Sequence, residues 1–515
     1  MKSILTYKFL IYVIPFLLGL FTSFSLPPYN FLIINFITFP TLLFFLTYNY
    51  KKSKWISFKI GWLFGFGYFI SNLYWITNSL TFEEIFKPLI PFALIIIPLF
   101  LGIFYGLVTL ICSFFNLKKS FSTVLIFSVI FSLIEFFRGF ILGGFPWNII
   151  VYSWTNYLNS IQILSLIGTY SFNLISITIF LLPFLILFQK QIKFKIFIFL
   201  FLLFVLICNA FYGHKKIKND EKFYSEFKDF KIKIISPKIS IDRFFEANNE
   251  GIIIEELIEL SNPNILHNTI FVFPEGALAG VNLNKLKSFK EIFSKKYSDK
   301  HIIIMGINTE KELGSLSKIY NSMVVLDNNL NLINEYNKIK LVPFGEFLPF
   351  ESFFKKIGLK KISYGYQSFS AGSERKSISL GFDNLNFIPL ICYEIIYSGK
   401  VSLEKDNINF IINISEDGWF GDSIGPYQHF SHTIFRAIEE GKNIIRSANN
   451  GISAYIDSNG VVISKLESTK KGVIEINNYK KINETLFSKF GNKIFFYIIL
   501  IYIGLIFLIK RWENK

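Results

Sequence analysis

Eight apolar stretches, each about as long as a bilayer is thick, constrain the fold of this chain more than any other feature. They lie near residues 8–25, 29–48, 56–77, 89–115, 122–142, 161–187, 193–211 and 492–510. A helix needs about 20 apolar residues to cross the hydrocarbon core. Because residues 23–28 make a poor signal-peptide cleavage site and a second stretch follows at once, the first stretch is interpreted as retained. The sequence therefore predicts eight membrane spans.

Charged residues are distributed unevenly along the chain. Only 17% of the 515 residues are charged, whereas a soluble domain carries about 25%. Residues 212–485 alternate apolar runs with Lys, Glu, Asn and Ser. We therefore expect a membrane domain at 1–211, a globular domain at 212–485, and a C-terminal membrane helix with a short tail at 486–515. The net charge is +16, but the lysines are dispersed and form no stripe, which argues against nucleic acid as a partner.

The basic loops predict the orientation in the membrane. If the spans alternate, the clusters after spans two, four and six and at the C-terminus fall on one side: Lys51, Lys52, Lys54, Lys118, Lys119, Lys190, Lys193, Lys195, Lys510, Arg511 and Lys515. Cations concentrate on the cytoplasmic side of a membrane. The sequence thus predicts a multi-pass protein of the cytoplasmic (inner) membrane, with both termini cytoplasmic and residues 212–485 on the outer face. The basic run at 214–218 adjoins a long domain, where this rule weakens.

One pair of ionisable residues lies inside a predicted span. Glu135 and Arg138 are three residues apart and share one helix face. Ionisable groups at membrane depth are costly, so they pair with each other or line a functional cavity. A structural ion pair near a helix end is the alternative to a functional role, and the sequence leaves both open. A turn with interfacial aromatic residues, Gly-Phe-Pro-Trp at 144–147, follows the pair.

The globular block alternates strand and helix patterns. Residues 231–236 alternate as a strand does, and 249–260 have helical spacing with apolar positions between glutamates. Strand-like runs follow at 268–273, 301–306, 318–326, 386–393 and 408–414, then a helix at 428–440 and strands near 452–457, 460–465 and 472–476. This order predicts a layered α/β domain whose strand ends carry the site.

Three residue types suited to acyl transfer stand near strand ends in this block. Cys392 ends the run Phe-Ile-Pro-Leu-Ile-Cys, Glu275 follows Phe-Val-Phe-Pro, and Lys338 follows Tyr-Asn. A thiol attacks an ester as thiolate or with a base. Glu275 could be that base, and Lys338 could stabilise the oxyanion with the backbone N–H of Tyr393 as a second donor. Taken singly, they could also be a core cysteine, a turn carboxylate and a solvated lysine.

The other cysteines do not change this interpretation. Cys112 and Cys208 lie in predicted spans, which leaves Cys392 alone in its domain without an intradomain disulfide partner. No Cys or His spacing typical of a metal site occurs, so no metal and no cofactor is expected.

Several segments carry a family resemblance. Residues 338–346 read Lys-Ile-Lys-Leu-Val-Pro-Phe-Gly-Glu, 417–429 read Asp-Gly-Trp-Phe-Gly-Asp-Ser-Ile-Gly-Pro-Tyr-Gln-His, and 446–452 read Arg-Ser-Ala-Asn-Asn-Gly-Ile. With the trio above, they resemble the Glu-Lys-Cys triad of the nitrilase superfamily and, within it, the apolipoprotein N-acyltransferases. The segments 61–75 and 144–147 in the membrane part resemble this family as well. The resemblance covers nearly the whole chain.

The resemblance implies a fold and a reaction. The fold is an α-helical membrane bundle of about eight spans with an external nitrilase-like αββα sandwich. Cys392 would take an acyl chain from a membrane phospholipid, usually phosphatidylethanolamine, and pass it to the α-amine of the N-terminal S-diacylglyceryl-cysteine of an apolipoprotein. Glu275 would be the general base and Lys338 would stabilise the tetrahedral states.

The resemblance also implies supporting residues. Glu346 and Glu394 match carboxylates that orient the triad, and Tyr393 matches the residue after the nucleophile. Trp419, with Phe420, matches a lid loop over the site, for which glycines on either side are suited. A packing anchor is the alternative for Trp419.

Two positions depart from the family pattern. Lys340 stands where another residue, often histidine, is expected, and Lys338 is preferred because it keeps the spacing to Glu346. The family tryptophan after the first strand of the domain is missing, and Phe244 or Phe245 is the expected replacement.

Three other functions remain as alternatives. A membrane-anchored amidase could use the same triad, although eight spans exceed what an anchor needs. A transporter with a binding domain would leave the triad idle and would require more intramembrane charges than Glu135 and Arg138. A non-catalytic lipoprotein-binding module is the third.

Overall fold

The apolar stretches fold as long helices. The computed structural model describes residues 2–188, 191–227, 229–244, 250–313, 316–349, 368–381, 385–399, 401, 408–481 and 484–513. The helices of the N-terminal part are α1 (Lys2–Ser23), α2 (Asn35–Asn49), α3 (Lys54–Leu73), α4 (Ile90–Cys112), α5 (Phe121–Arg138), α6 (Leu158–Ile161), α7 (Leu164–Phe188) and α8 (Ile192–Asp220). The chain ends with helices Leu486–Phe490 and Lys493–Glu513.

Six helices in the described part of the chain are long and apolar enough to cross a membrane. They are Leu32–Asn49, Glu84–Cys112, Phe121–Arg138, Leu164–Phe188, Ile192–Phe223 and Lys493–Glu513, and a shorter apolar helix spans Ile11–Ser23. The prediction of a multi-pass membrane protein is confirmed. Because α3 falls outside this set, the number of eight spans stays a prediction.

Glycines allow the close packing of α3. A Cβ atom at Gly61 would lie 2.1 Å from the carbonyl oxygen of Tyr105 on α4, and one at Gly19 on α1 would lie 1.9 Å from that of Phe64. Small residues at such contacts let membrane helices approach backbone to backbone. Helix α8 continues past residue 211 to Asp220, so the predicted boundary between the first two domains lies within a helix.

Two six-stranded sheets form the core of the second part. The strands are β1 (Tyr224–Glu226), β2 (Phe230–Ser236), β3 (Asn268–Val272), β4 (His301–Leu313), β5 (Leu316–Leu326), β6 (Leu332–Asn337), β7 (Ile378–Ser379), β8 (Asn386–Ile391), β9 (Phe410–Glu416), β10 (Asn443–Asn449), β11 (Ser453–Ile456), β12 (Val462–Leu466), β13 (Gly472–Ile476) and β14 (Asn478–Lys480). One of the two sheets has the order β13-β2-β3-β4-β5-β6, and the other has the order β12-β11-β10-β9-β8-β7. The central pairs β2–β3, β3–β4, β8–β9 and β9–β10 are parallel, and β1 pairs with β14.

Alternation along the strands builds four layers. Ile270 and Val272 of β3 pack between the sheets with Ile412 and Ile414 of β9. Phe271, which points the other way, packs with the helices α9 (Glu250–Ser261), α10 (Leu283–Leu286) and α11 (Lys290–Ser294). The opposite outer face is covered by helix Gly425–Glu440, named here the interface helix. The predicted αββα sandwich is therefore confirmed.

The interface helix also joins the sandwich to the membrane helices. Its apolar residues Ile434, Phe435 and Ile438 belong to the same buried core as Phe180 and Phe184 of α7. Most of the other predicted elements are observed within a few residues of their expected bounds. Strands β1, β6, β7, β10 and β14 were not predicted, and the strand expected at 386–393 ends at Ile391, before Cys392.

Candidate active site

Glu275 is held in a fixed position just beyond the end of β3. Its Oε1 accepts a hydrogen bond from Nδ2 of Asn321 at 2.7 Å, and its Oε2 accepts one from the backbone N–H of Glu416 at 3.0 Å. The residue is buried. Glycine is needed next to it, because a Cβ at Gly306 on β4 would lie 2.6 Å from the Glu275 Cα. The carboxylate therefore has one orientation, set by two sheets.

Lys338 follows the last residue of β6 and lies between two carboxylates. Its Nζ is 3.2 Å from Glu275 Oε1 and 2.8 Å from Glu346 Oε1. Burial opposes the charge on this lysine, but Glu275 and Glu346 outweigh it and hold the pKa of Lys338 well above its ordinary value. Lys340 lies elsewhere, with its Nζ 5.7 Å from the ring centre of Tyr397. We call Glu275, Lys338 and Glu346 the triad cluster.

Cys392 stands on a sharp turn between a strand and a helical segment. β8 ends at Ile391, and a 3₁₀ turn spans Cys392–Ile396. The cysteine has a φ of 47°, a conformation that non-glycine residues rarely adopt and that a nucleophile on a strand-to-helix turn often shows. Burial raises the pKa of the Cys392 thiol, Glu275 raises it further, and Lys338 opposes the rise. These effects together favour the protonated thiol, which is a weaker nucleophile than the thiolate.

Glu394 ties the turn of Cys392 to the segment after Lys338. Its carboxylate accepts hydrogen bonds from the backbone N–H groups of Ile391 at 2.9 Å, Ile339 at 3.0 Å and Lys340 at 3.2 Å. These two segments come from different sheets. One buried carboxylate thus connects the turn of Cys392 to the segment that follows Lys338.

Three further side chains, which sequence reasoning missed, complete this region. Asn321 in the middle of β5 donates to both Glu275 and Glu346 at 2.7 Å. Arg375 Nη2 and the hydroxyl of Tyr336 bind Glu394 at 2.8 and 2.7 Å. Because β6 was not predicted, the sequence carried no signal that Tyr336 faces Glu394. A lone asparagine within an apolar strand was the only trace of Asn321.

A second group of charges lies on another side of Cys392. Asp417 Oδ1 is 2.9 Å from Nδ1 of His429, and its Oδ2 accepts from Nη2 of Arg446 at 2.8 Å. We call Asp417, His429 and Arg446 the anchor cluster. Burial opposes the charge on Asp417, but Arg446 and His429 hold its pKa below the usual range. Nε2 of His429 lies 3.3 Å from the carbonyl oxygen of Cys392.

The anchor cluster contains side-chain types that ligate metals. Donor atoms of Cys392, Asp417 and His429 lie within 4.8 Å of one another, although they are far apart in sequence. The guanidinium of Arg446 already occupies one oxygen of Asp417. A positive group at this distance disfavours a metal cation at the same place.

The segment predicted as a lid contacts the membrane part. The ring of Phe420 meets that of Trp75 edge-on at 4.7 Å, and its carbonyl oxygen accepts from Nδ2 of Asn78 at 2.5 Å. Trp419 is partly exposed and its ring lies 5.6 Å from that of Phe82. This segment therefore bridges Asp417 and the loop after α3.

Tyr393 reaches the membrane part as well. Its hydroxyl donates to the carbonyl oxygen of Gly144 at 2.8 Å, in the loop after α5. The expected role of its backbone N–H as an oxyanion donor stays a prediction. The expected replacement of the family tryptophan falls on Phe245 and the side chain of Phe244, which lie outside the described residues.

Two family models match separate parts of the chain. Residues 18–182 match the apolipoprotein N-acyltransferase N-terminal domain, and residues 269–477 match the carbon-nitrogen hydrolase domain. An amidase of the nitrilase superfamily from Nesterenkonia AN1 is 10% identical, with a TM-score of 0.34 over 49% of this chain and 92% of that one.

Curated relatives extend the match over most of the chain. The apolipoprotein N-acyltransferase of Rickettsia typhi is 32% identical over 93% of this chain and 94% of its own length. That of Rickettsia prowazekii is 32% identical over 87% and 89%, and that of Brucella melitensis is 29% identical over 89% and 88%. The chain belongs to the apolipoprotein N-acyltransferase family.

Proposed function

We propose that this protein transfers an acyl chain from a membrane phospholipid to the α-amine of the N-terminal S-diacylglyceryl-cysteine of apolipoproteins. One observation carries the proposal. The Cys392 thiol lies on a turn with a positive φ, beside the ion pair of Glu275 and Lys338. At this place a loop of the multi-pass membrane domain contacts the sandwich. A lipid substrate can reach such a site laterally.

In the first half-reaction Glu275 takes the proton of the Cys392 thiol, and the sulfur attacks the ester carbonyl of the phospholipid. The tetrahedral oxyanion is stabilised by the ammonium of Lys338 and the backbone N–H of Tyr393. When the C–O bond breaks, Glu275 returns the proton to the glycerol oxygen. The products are a thioester on Cys392 and a lysophospholipid.

In the second half-reaction the amine of the lipoprotein attacks the thioester carbonyl. Glu275 accepts a proton from the nitrogen, the N–C bond forms, and the C–S bond breaks. The thiolate of Cys392 recovers its proton from Glu275. The amide product leaves, and the enzyme returns to its starting state without a cofactor.

The remaining site residues have supporting roles. Glu346 holds Lys338 in place, and Glu394 fixes the distance between the lysine and the nucleophile. Trp419 and Phe420 cover the site as a lid that contacts substrate. Their contacts with Phe82 and Trp75 support this assignment.

The membrane setting belongs to the same proposal. The basic loops favour the cytoplasmic membrane, with both termini cytoplasmic and the sandwich, residues 212–485, on the outer face. Phosphatidylethanolamine is the proposed donor. The membrane domain then comprises residues 1–211, and the C-terminal helix and tail comprise 486–515.

Labelling of the enzyme tests the mechanism. Purified protein in phospholipid micelles is incubated with phosphatidylethanolamine carrying a labelled acyl chain, and a hydroxylamine-sensitive label on the protein is mapped. The label is expected on Cys392, lost in Cys392→Ser, and retained in the matched Cys112→Ser and Cys208→Ser variants. A diacylated lipopeptide with a free amine should discharge it, and its N-acetylated form should not.

Other outcomes separate the alternatives. Discharge by water alone supports an amidase or lipase activity. Absence of label, while a small thiol reagent still reaches Cys392, contradicts phosphatidylethanolamine as donor. If other phospholipids also fail to label the enzyme, a lipoprotein-binding module becomes the better interpretation. Substrate uptake into vesicles without labelling supports a transporter.

A further inference from the structure

A fully buried ion pair in the membrane domain has no part in the proposed chemistry. Nη2 of Arg138 lies 3.5 Å from Oε1 of Glu135, near the end of α5, and both side chains are at most 1% exposed. Glu135 also accepts from the hydroxyl of Tyr105 at 2.8 Å and from Nδ2 of Asn173 at 2.6 Å. Burying such a pair costs desolvation energy that its attraction offsets only with good geometry. A role beyond stability is therefore expected.

The guanidinium of Arg138 binds the loop that follows its own helix. It donates to the carbonyl oxygen of Phe145 and, at 3.2 Å, to that of Asn148. The backbone N–H of Phe145 donates in turn to the Arg138 carbonyl oxygen at 2.9 Å. Gly144 has a φ of 81°, and a Cβ there would lie 2.1 Å from the Gly139 carbonyl oxygen, so the tight return of the loop requires glycine.

The same loop binds the turn that carries the nucleophile. The hydroxyl of Tyr393 donates to Gly144 O at 2.8 Å, and that of Tyr397 donates to the carbonyl oxygens of Gly143 and Gly144 at 3.1 and 3.0 Å. Both tyrosines are buried, and Tyr393 directly follows Cys392. Two hydroxyls thus attach the strained turn to a loop whose position depends on Arg138.

The loop reaches the anchor cluster too. The ring of Trp147 stacks on that of His429 at 5.1 Å, and its Nε1 donates to Oε1 of Gln428 at 2.9 Å. His429 in turn lies beside the carbonyl oxygen of Cys392. The loop therefore contacts both the tyrosines that follow Cys392 and the histidine next to its carbonyl oxygen.

We propose that Glu135 and Arg138 are positioning residues for Cys392, acting through the loop 143–148 and the hydroxyls of Tyr393 and Tyr397. Glu135 orients the guanidinium, the guanidinium holds the loop carbonyls, and the loop holds the turn. The left-handed conformation of Cys392 costs energy and persists only where its surroundings over-determine it. The membrane domain thereby sets the geometry of the catalytic thiol and does more than deliver lipid.

Two rates measured on the same variants test this inference, which rests on the proposed function. In a Cys112→Ser, Cys208→Ser background, Arg138→Lys should form the acyl-enzyme about 10- to 100-fold more slowly, as small misplacements of reacting groups do. Its Cys392 should be alkylated faster by iodoacetamide, because a loosened turn exposes the thiol. The control Thr38→Val removes a buried hydrogen bond with Thr22 that does not reach the loop, and both of its rates should match the background.

A double-mutant cycle tests whether Arg138 acts on Cys392 through the hydroxyls of Tyr393 and Tyr397. The pair Tyr393→Phe, Tyr397→Phe should slow acyl-enzyme formation, and adding Arg138→Lys should slow it by no more than about twofold further, since residues on one route are not additive. Fully multiplicative effects overturn the proposal, as does an acylation rate in Arg138→Lys equal to that of the background. If Arg138→Lys does not fold, the variant Tyr393→Phe, Tyr397→Phe tests the proposal by itself. Acyl-enzyme formation at the background rate in that variant would overturn the proposal.

The alkylation rate separates this inference from the proposed function. If the parent enzyme forms no acyl-enzyme from any phospholipid, the proposed function fails. Faster alkylation in Arg138→Lys would still support the positioning role, and an unchanged alkylation rate would overturn it.

Discussion

Two buried charge clusters flank Cys392, and they differ in how fully their charges are balanced. In the triad cluster one ammonium, Lys338, serves two carboxylates, Glu275 and Glu346, whose side chains are 11% and 13% exposed. In the anchor cluster Asp417 meets the guanidinium of Arg446, the ring of His429 and a serine hydroxyl, and the side chains of Arg446 and His429 are fully buried.

Under the proposed function, this difference assigns catalysis to the triad cluster and structural support to the anchor cluster. The triad cluster places two carboxylates around one ammonium, which supports the proposal that Glu275 accepts the proton of the thiol. Asp417 in the anchor cluster stays ionised, because Arg446 and His429 hold its pKa below its usual range despite burial. In the proposed mechanism the triad cluster therefore takes part in the reaction, while the anchor cluster holds the surrounding loops. The following substitutions test this contrast.

The largest expected effect is on catalysis by the triad cluster. Glu275→Gln keeps the shape but removes the base, and acyl-enzyme formation should fall by about 10³-fold, within the range for general bases. A single-turnover labelling assay measures it, with the exposed Glu291→Gln as control. Labelling at the parent rate would remove Glu275 from the mechanism.

A substitution in the anchor cluster should lower the stability of the protein more than its rate of acyl-enzyme formation. Arg446→Met leaves Asp417 buried without its guanidinium, which costs about 3–5 kcal/mol. The melting temperature of the purified protein should fall by about 10 °C, while labelling per folded molecule stays within about tenfold. If Arg446→Met melts at the parent temperature but is not labelled, Arg446 takes part in the reaction, and the contrast between the anchor cluster and the triad cluster is wrong.

Lys338→Met should lower acyl-enzyme formation by about 10²-fold, because the oxyanion loses its cation. The matched variant Lys340→Met, two residues away and outside the cluster, should label at the parent rate. If Lys340→Met loses labelling and Lys338→Met keeps it, the catalytic lysine is Lys340.

The smallest expected effect is on the titration of the thiol. Burial and then Glu275 raise the pKa of Cys392, whereas Lys338 lowers it. The midpoint of alkylation against pH should therefore shift down in Glu275→Gln and up in Lys338→Met. Arg446→Lys, which keeps the anchor charge, should leave the midpoint unchanged. Shifts of the same sign in the two triad variants would contradict this electrostatic description.

Local patterns were enough to predict much of the fold. Apolar length located the membrane helices, alternation located β2, and short apolar runs located β3, β8 and β9, because bilayer thickness and strand burial act on neighbouring residues. β6 was missed because Leu332–Asn337 is mostly exposed at a sheet edge and carries little apolar alternation. β10 was missed because it is buried throughout, with polar Arg446 and Asn449 satisfied by distant partners.

The sequence by itself determined the membrane and sandwich parts and the motifs that carry Glu275, Lys338 and Cys392. Only the tertiary structure decided that Asn321 bridges the two glutamates, that Glu394 joins two sheets, and that the loop after Arg138 is hydrogen-bonded to the residue after Cys392. The physical reason is distance along the chain. Periodicity and turn chemistry are local, whereas these contacts join residues tens to hundreds of positions apart and exist only after the sheets pack and the membrane helices dock.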